Sequence, residues 1–197
     1  MNELEKIKEI LFNKNGIVTA SDVTGAGIPR RCLADMVQIG LLHKAARGIY
    51  ISNDAWEDEL YFFQYRYTRG VYSHETALYL HRYSDRTPAV YTMTFPSGYN
   101  VRSIRKDAII VRHTEKKYYE IGIAEILTMA GNPLRVYDIE RTLCDIVQTK
   151  SRCDAQIVAP AMKQYALSKE KNIPKLMSYA AALRVENRVR GFMEVLL

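Results

Sequence analysis

The sequence predicts an α+β protein: an N-terminal winged helix-turn-helix over residues 1–52, then a mixed α/β C-terminal domain over residues 53–197 that ends in helices. Three observations carry this reading. Short amphipathic helical patterns fill the first forty residues, a basic turn between two apolar segments follows, and strand-like and helix-like segments then alternate before a helical finish. A chain of 197 residues is long enough for a small domain and a medium one, each with its own core.

In the first domain, Leu4, Ile7, Ile10 and Leu11 share one face of a helix, with charged residues between them, that stops at Asn13 to Gly16. Thr19, with Asp22 three residues on, marks the N-cap of a second, short helix that Gly25 and Gly27 end. Pro29 sits where a first helical residue would, and Leu33, Met36 and Val37 form the apolar stripe of a third helix closed by Gly40. Residues Leu41 to Ile51 then read as a small hairpin.

The acidic run Asn53 to Glu59 is a composition shift and marks the joint between domains, opening a helix that continues towards Tyr67. Strands are expected at Gly70–Ser73, Ala89–Phe95, Ala108–His113, Tyr118 to about Met129, and Leu134–Tyr137. Helices are expected at His74 to about Arg82, Ile139–Gln148, Asp154–Leu167, Ile173–Leu183 and Asn187–Leu196.

Composition narrows the function classes. No window is apolar over the length of a membrane span, and Glu3, Glu5, Lys6, Lys8 and Glu9 interrupt the N-terminus, so a cytoplasmic protein without membrane contact is expected. Cys32, Cys144 and Cys153 are odd in number and at no metal spacing, which suits reduced thiols. Neither a metal site nor a cofactor is expected. The net charge of +6 favours polyanionic partners.

In a helix-turn-helix the second helix of the motif enters the major groove, so its outward face must be polar and partly basic. At about 100° per residue, Arg31, Asp35 and Gln38 point away from Leu33, Met36 and Val37, with Arg30 at the flank. Arg30, Arg31 and Gln38 can therefore reach base edges, since Arg pairs with guanine and Gln with adenine through two parallel hydrogen bonds. His43, Lys44 and Arg47 are expected in the turn of the hairpin, on phosphates or in the minor groove. Double-stranded operator DNA is the partner this pattern implies. Solvated charges on a helical hairpin are the plainer alternative.

The order of segments from Gly16 to Tyr50, ending Gly40-Leu41-Leu42 and Arg47-Gly48-Ile49-Tyr50, resembles the N-terminal domain of AbiEi-type antitoxins from the AbiE type IV toxin-antitoxin systems of abortive phage infection. The second domain extends the likeness through Ser73-His74-Glu75-Thr76-Ala77-Leu78-Tyr79-Leu80, Asp85 and Pro88, Phe95-Pro96-Ser97-Gly98-Tyr99, and Val136-Tyr137-Asp138-Ile139-Glu140-Arg141-Thr142-Leu143-Cys144-Asp145. The resemblance implies a repressor of its own operon that binds inverted repeats in the promoter. It also implies a C-terminal antitoxin domain that neutralises a nucleotidyltransferase-like toxin, with direct contact left open.

An enzyme is the rival class. Asp107 with Glu115-Lys116-Lys117 carries residue types of a metal-dependent nuclease, but the Glu-x-Lys element falls in a loop between expected strands. His74 and His81 share a helix face without a third ligand at suitable spacing, and Arg141 and Asp145 at i, i+4 read as an ion pair on a helix surface. No catalytic residue is assigned. The basic stretch 99–117 holds Arg102, Arg105, Lys106, Arg112, Lys116 and Lys117. It can track DNA backbone, bind RNA or a partner, or form the solvated face of a strand pair, and all three readings stand.

Overall fold

The computed structural model describes residues 2–102, 104, 107–151 and 153–196 and is a mixed α+β protein. Its contacts divide the chain into two units, one formed by Met1–Tyr67 with Leu127–Leu134 and the other by Thr68–Ile126 with Arg135–Leu197.

In the first unit, α1 (Glu3–Asn13) is opened by a capping box in which Asn2 accepts from Leu4 N and donates its own backbone N–H to Glu5. A three-residue strand β1 (Ile17–Thr19) follows, which no sequence pattern announced because three residues are too few to show alternation. α2 (Ala20–Gly25) begins at the expected cap: Asp22 N donates to Thr19 Oγ1 at 3.2 Å, and Thr19 N donates to Asp22 Oδ2 at 2.9 Å. α3 (Arg31–Gln38) starts two residues later than its proline suggested. Pro29 precedes the N-cap Arg30, and its carbonyl accepts from Cys32 N instead. β2 (Leu42–Ala46) and β3 (Ile49–Ser52) form the hairpin, and the sheet order is β1-β3-β2. Ile7, Val18, Val23, Ile28, Leu33, Met36 and Leu42 make the core under the helices.

The other face of this small sheet buries Ile17, Ile49 and Ile51 against Tyr61, Phe62 and Tyr65 of α4 (Glu59–Arg66). The helix that the acidic run opens is thus packed within the first unit, whose first segment runs to Tyr67. Asp58 explains part of this. It is buried, caps α4 by accepting from Tyr61 N at 3.1 Å, and accepts from Thr128 Oγ1 and, at 2.8 Å, from Asn132 Nδ2.

The second unit is built on a five-stranded sheet of order β6-β5-β4-β8-β7, with β4 (Val71–Tyr72), β5 (Tyr91–Pro96), β6 (Ile109–Thr114), β7 (Ile123–Leu127) and β8 (Pro133–Tyr137). β4 runs antiparallel to β5 but parallel to β8, and β5 runs parallel to β6. The long strand expected over Tyr118 to about Met129 is instead a single turn, α6 (Lys116–Tyr119), and then β7. The Glu115 carbonyl accepts from both Tyr118 N and Tyr119 N, and this local turn overrides the strand preference of the two tyrosines. α5 (His74–Leu80), α7 (Ile139–Ile146), α8 (Ala155–Leu167), α9 (Ile173–Ala182) and α10 (Glu186–Leu196) supply the helical layer, with Leu78, Leu143, Met162, Leu176 and Val189 among its fully buried residues. Every residue of α7 after Ile139 is buried. Among the described residues no helix is long and apolar enough to cross a membrane.

Candidate nucleic-acid interface

The first unit carries six residues expected to meet DNA. On α3, Leu33 and Met36 are buried while Arg31, Asp35 and Gln38 are exposed, so the polar face has the orientation the periodicity implied. Arg30 is exposed at the N-cap, and its Nε donates to Thr24 Oγ1 at 2.9 Å, which ties it to the last turn of α2. His43 and Lys44 are not in the turn of the hairpin. They stand on β2, opposite Ile51 and Tyr50, because the strand runs on to Ala46 with an irregularity after Lys44. Only Arg47 occupies the turn, beside Gly48 at φ +79°, a left-handed conformation that glycine adopts without cost. All three side chains are exposed.

The described residues of the basic stretch in the second unit do not form one surface. Arg105 and Lys106 lie outside the described residues, and Arg102 is exposed in a turn. Lys116 is exposed, and Lys117 is paired with Glu115 at 3.2 Å and lies 4.6 Å from the Tyr118 ring centre. Arg112 turns inward from β6: its Nη2 donates to Ser151 O at 2.7 Å and its Nη1 to Lys150 O at 3.4 Å.

Arg112 lines a cavity of about 500 Å³, together with His74, Arg141 and Asp145. Arg141 and Asp145 make the expected i, i+4 pair, Nε to Oδ1 at 3.0 Å, but their side chains are only 2% and 5% exposed. The pair is therefore a buried one and not a surface clasp. Arg141 also donates through Nη1 to Tyr118 O and to Ile121 O, and its guanidinium lies 4.2 Å from the Tyr137 ring centre. Close packing here requires Gly122, at φ +75°, where an added Cβ would meet Arg141 Cβ at 2.6 Å. His74 is partly buried, and its pKa is lowered, first by desolvation, which outweighs the nearby Asp145 charge. Among the described residues no group of three or more His, Cys, Asp or Glu side chains could hold a metal.

This geometry can be compared with known proteins. Residues 5–53 match the family model described as transcriptional regulator, AbiEi antitoxin. The match runs from α1 through β3 and takes in all six candidate DNA-contact residues, whereas the cavity of the second unit lies beyond it. It supports an antitoxin and regulator role, the role to which the resemblance in the sequence pointed. The computed fold is similar to the crystal structure of the RV2827C protein from Mycobacterium tuberculosis, at 13% identity and a TM-score of 0.56, over 98% of this chain and 80% of that one. That likeness concerns the fold alone. No curated protein matches the chain.

Within the AbiEi-matching segment the contact between Arg30 and Thr24 was not anticipated, although Thr24 stands six residues away in sequence. In the second unit the spacing of Arg141 and Asp145 signalled their pairing, but nothing local signalled that Tyr118, Ile121 and Tyr137 would close over it.

Proposed function

We propose that the chain is an antitoxin and autorepressor of a toxin-antitoxin operon whose first unit is a winged helix-turn-helix binding promoter inverted repeats. The observation that carries this reading is the face of α3: Arg31 and Gln38, two turns apart, stand exposed opposite the buried Leu33 and Met36, within a segment that matches AbiEi regulators. In this reading α3 lies in the major groove and the β2–β3 hairpin is the wing. Arg31 and Gln38 read base edges, Arg30 braces α3 against α2, and His43, Lys44 and Arg47 rest on phosphates. The second unit neutralises a nucleotidyltransferase-like toxin, and the chain itself performs no catalysis.

Gel-shift titrations at two salt concentrations test the division of labour. Arg31→Ala and Gln38→Ala are expected to cost about 1–3 kcal/mol on operator DNA and to relax base preference. Lys44→Ala and Arg47→Ala are expected to weaken all DNA alike and to reduce the salt slope by about one unit each. Equal losses for all four on operator and random DNA would remove α3 as the reading helix.

A further inference from the structure

The helical layer of the second unit carries an apolar groove. α8 and α10 pack on each other, and between them lies an open groove of about 900 Å³, with Ile146 and Val147 from the end of α7 in its lining. Its walls are Val158 from α8 and Phe192, Val195 and Leu196 from α10. Arg188 is the charged member of this lining, and its Nη1 donates to the Val147 carbonyl at 2.8 Å. Val195 is 84% exposed. A large aliphatic side chain left in water beside an apolar groove belongs to a surface that gains by being covered.

The sequence of α10 narrows what covers it. The helix buries Val189 and Met193. At about 100° per residue Gly191 points directly away from that pair, with Asn187 and Val195 one turn to either side, and all three are exposed. A glycine inside a helix is destabilising relative to alanine, and no atom within 4 Å would meet a Cβ added here. The fold of the chain does not need this notch, whereas a second helix crossing at Gly191 can approach more closely because of it.

Charge then selects the occupant. α10 carries Glu186, Arg188, Arg190 and Glu194, so it is neutral on a chain whose net charge is +6, and two copies can approach along it without the repulsion that the whole molecule exerts. Glu186 and Arg190 pair with each other. Arg188 and Glu194, three residues to either side of Gly191, are in no ion pair among the described residues. An antiparallel crossing centred on Gly191 sets Arg188 of one copy level with Glu194 of the other, whereas a parallel crossing sets arginine against arginine. The antiparallel crossing also sets Val195 level with Asn187, which lines the groove of the other copy.

We propose that this face pairs with a second copy of the chain, α8 and α10 of each copy forming a four-helix arrangement about a two-fold axis at Gly191. Val195 of each copy enters the groove of the other, beside Ala155 and Ala159, which are exposed on α8 and small enough to admit it. The choice of a second copy rests in part on the regulator reading, since inverted repeats in a promoter are matched by two copies of the reading unit.

The test is sedimentation equilibrium of the full chain without DNA across the micromolar range. A reversible monomer–dimer equilibrium is expected. Val195→Asp, at an exposed position, should weaken it about tenfold or more while circular dichroism and thermal melting stay unchanged. Glu194→Arg should weaken it as well, and adding Arg188→Glu should restore part of the loss, a recovery that requires the antiparallel register. Gly191→Cys, placed in open space, should cross-link two copies under mild oxidation faster than the unsubstituted chain does. A chain that stays monomeric at every concentration, or a dimer that is indifferent to Val195→Asp and does not cross-link through position 191, would overturn the proposal. So would a monomer whose groove takes up an apolar dye that Val195→Asp excludes, which would assign the groove to a small apolar ligand. Gel shifts on DNA carrying a single half-site report the first unit alone and should not change in Val195→Asp. A dimer without DNA binding fails the regulator reading, and DNA binding without a dimer fails this one.

Discussion

Among the described residues Arg141 is the largest fully buried side chain, and it shows how one residue can organise a unit. A guanidinium taken out of water needs partners for its donors, and Nε of Arg141 donates to Asp145 on its own helix while Nη1 donates to two carbonyls from the segment around α6. It therefore fixes residues 118–121 against α7. Arg141→Met leaves Asp145 as a buried charge without its ion-pair partner and is expected to cost about 3–5 kcal/mol in urea unfolding of the full chain. Arg141→Met with Asp145→Leu removes both charges and should recover a large part of that loss. If the double variant is as unstable as the sum of the single ones, the charge account fails and shape complementarity at Gly122 is the stronger cause.

At the level of elements, the caps were the most readable features and the burial of charges the least. The capping box of α2 is a local device: Thr19 and Asp22 are three residues apart, and their types alone imply their geometry. Asp22 also takes a hydrogen bond from Lys14 Nζ at 2.6 Å. Burial pushes its carboxyl up, but the bonds from Lys14 and Thr19 outweigh this and hold it below its ordinary 3.8. A carboxylate with a depressed folded-state pKa contributes stability that is complete above its unfolded value and is lost as pH falls through the folded one. Acid titration of thermal stability should therefore show the first unit weakening below about pH 4, and Asp22→Asn should flatten that part of the curve. The readable elements share this locality. Gly40 closes α3 and Gly48 turns the hairpin as their positions implied, whereas β1 and α6 depend on pairing or on a single turn and left no period to detect. The candidate DNA face divides in the same way. The periodicity of α3 placed Arg31 and Gln38 outward, but the length of β2, which depends on its ladder with β3, decided that His43 and Lys44 stand on a strand.

For the whole molecule, the first unit is larger than a winged helix requires. A fragment cut after Ser52 loses Tyr61, Phe62 and Tyr65 from the sheet face over Ile17, Ile49 and Ile51. These aromatic side chains are partly buried, so each contributes a fraction of the roughly 1.5–3 kcal/mol of a fully buried one. Thermal melts followed by circular dichroism should accordingly place the fragment 1–67 well above 1–52, and equal melting points would show that α4 is dispensable. The antitoxin proposal has its own test at this scale. In cells expressing the partner toxin, rescue is expected from the whole chain and from a chain with Arg31→Ala and Arg47→Ala, since operator binding and neutralisation are assigned to different units. Loss of rescue in that variant would show that neutralisation needs the DNA face.

Residues Leu127–Leu134 belong to the first unit although they arrive in the sequence only after half of the second. Asp58, buried and capping α4, takes two of its hydrogen bonds from Thr128 and Asn132 in that stretch. During synthesis, then, the N-terminal unit cannot be completed when its own helices emerge. At roughly 5–20 residues per second the ribosome needs several more seconds to travel from residue 67 to residue 134, and through that interval Asp58 waits for these partners. The order in which the two units mature on the ribosome is thus interleaved: a nascent regulator reaches its finished form only once much of its second half has also been made.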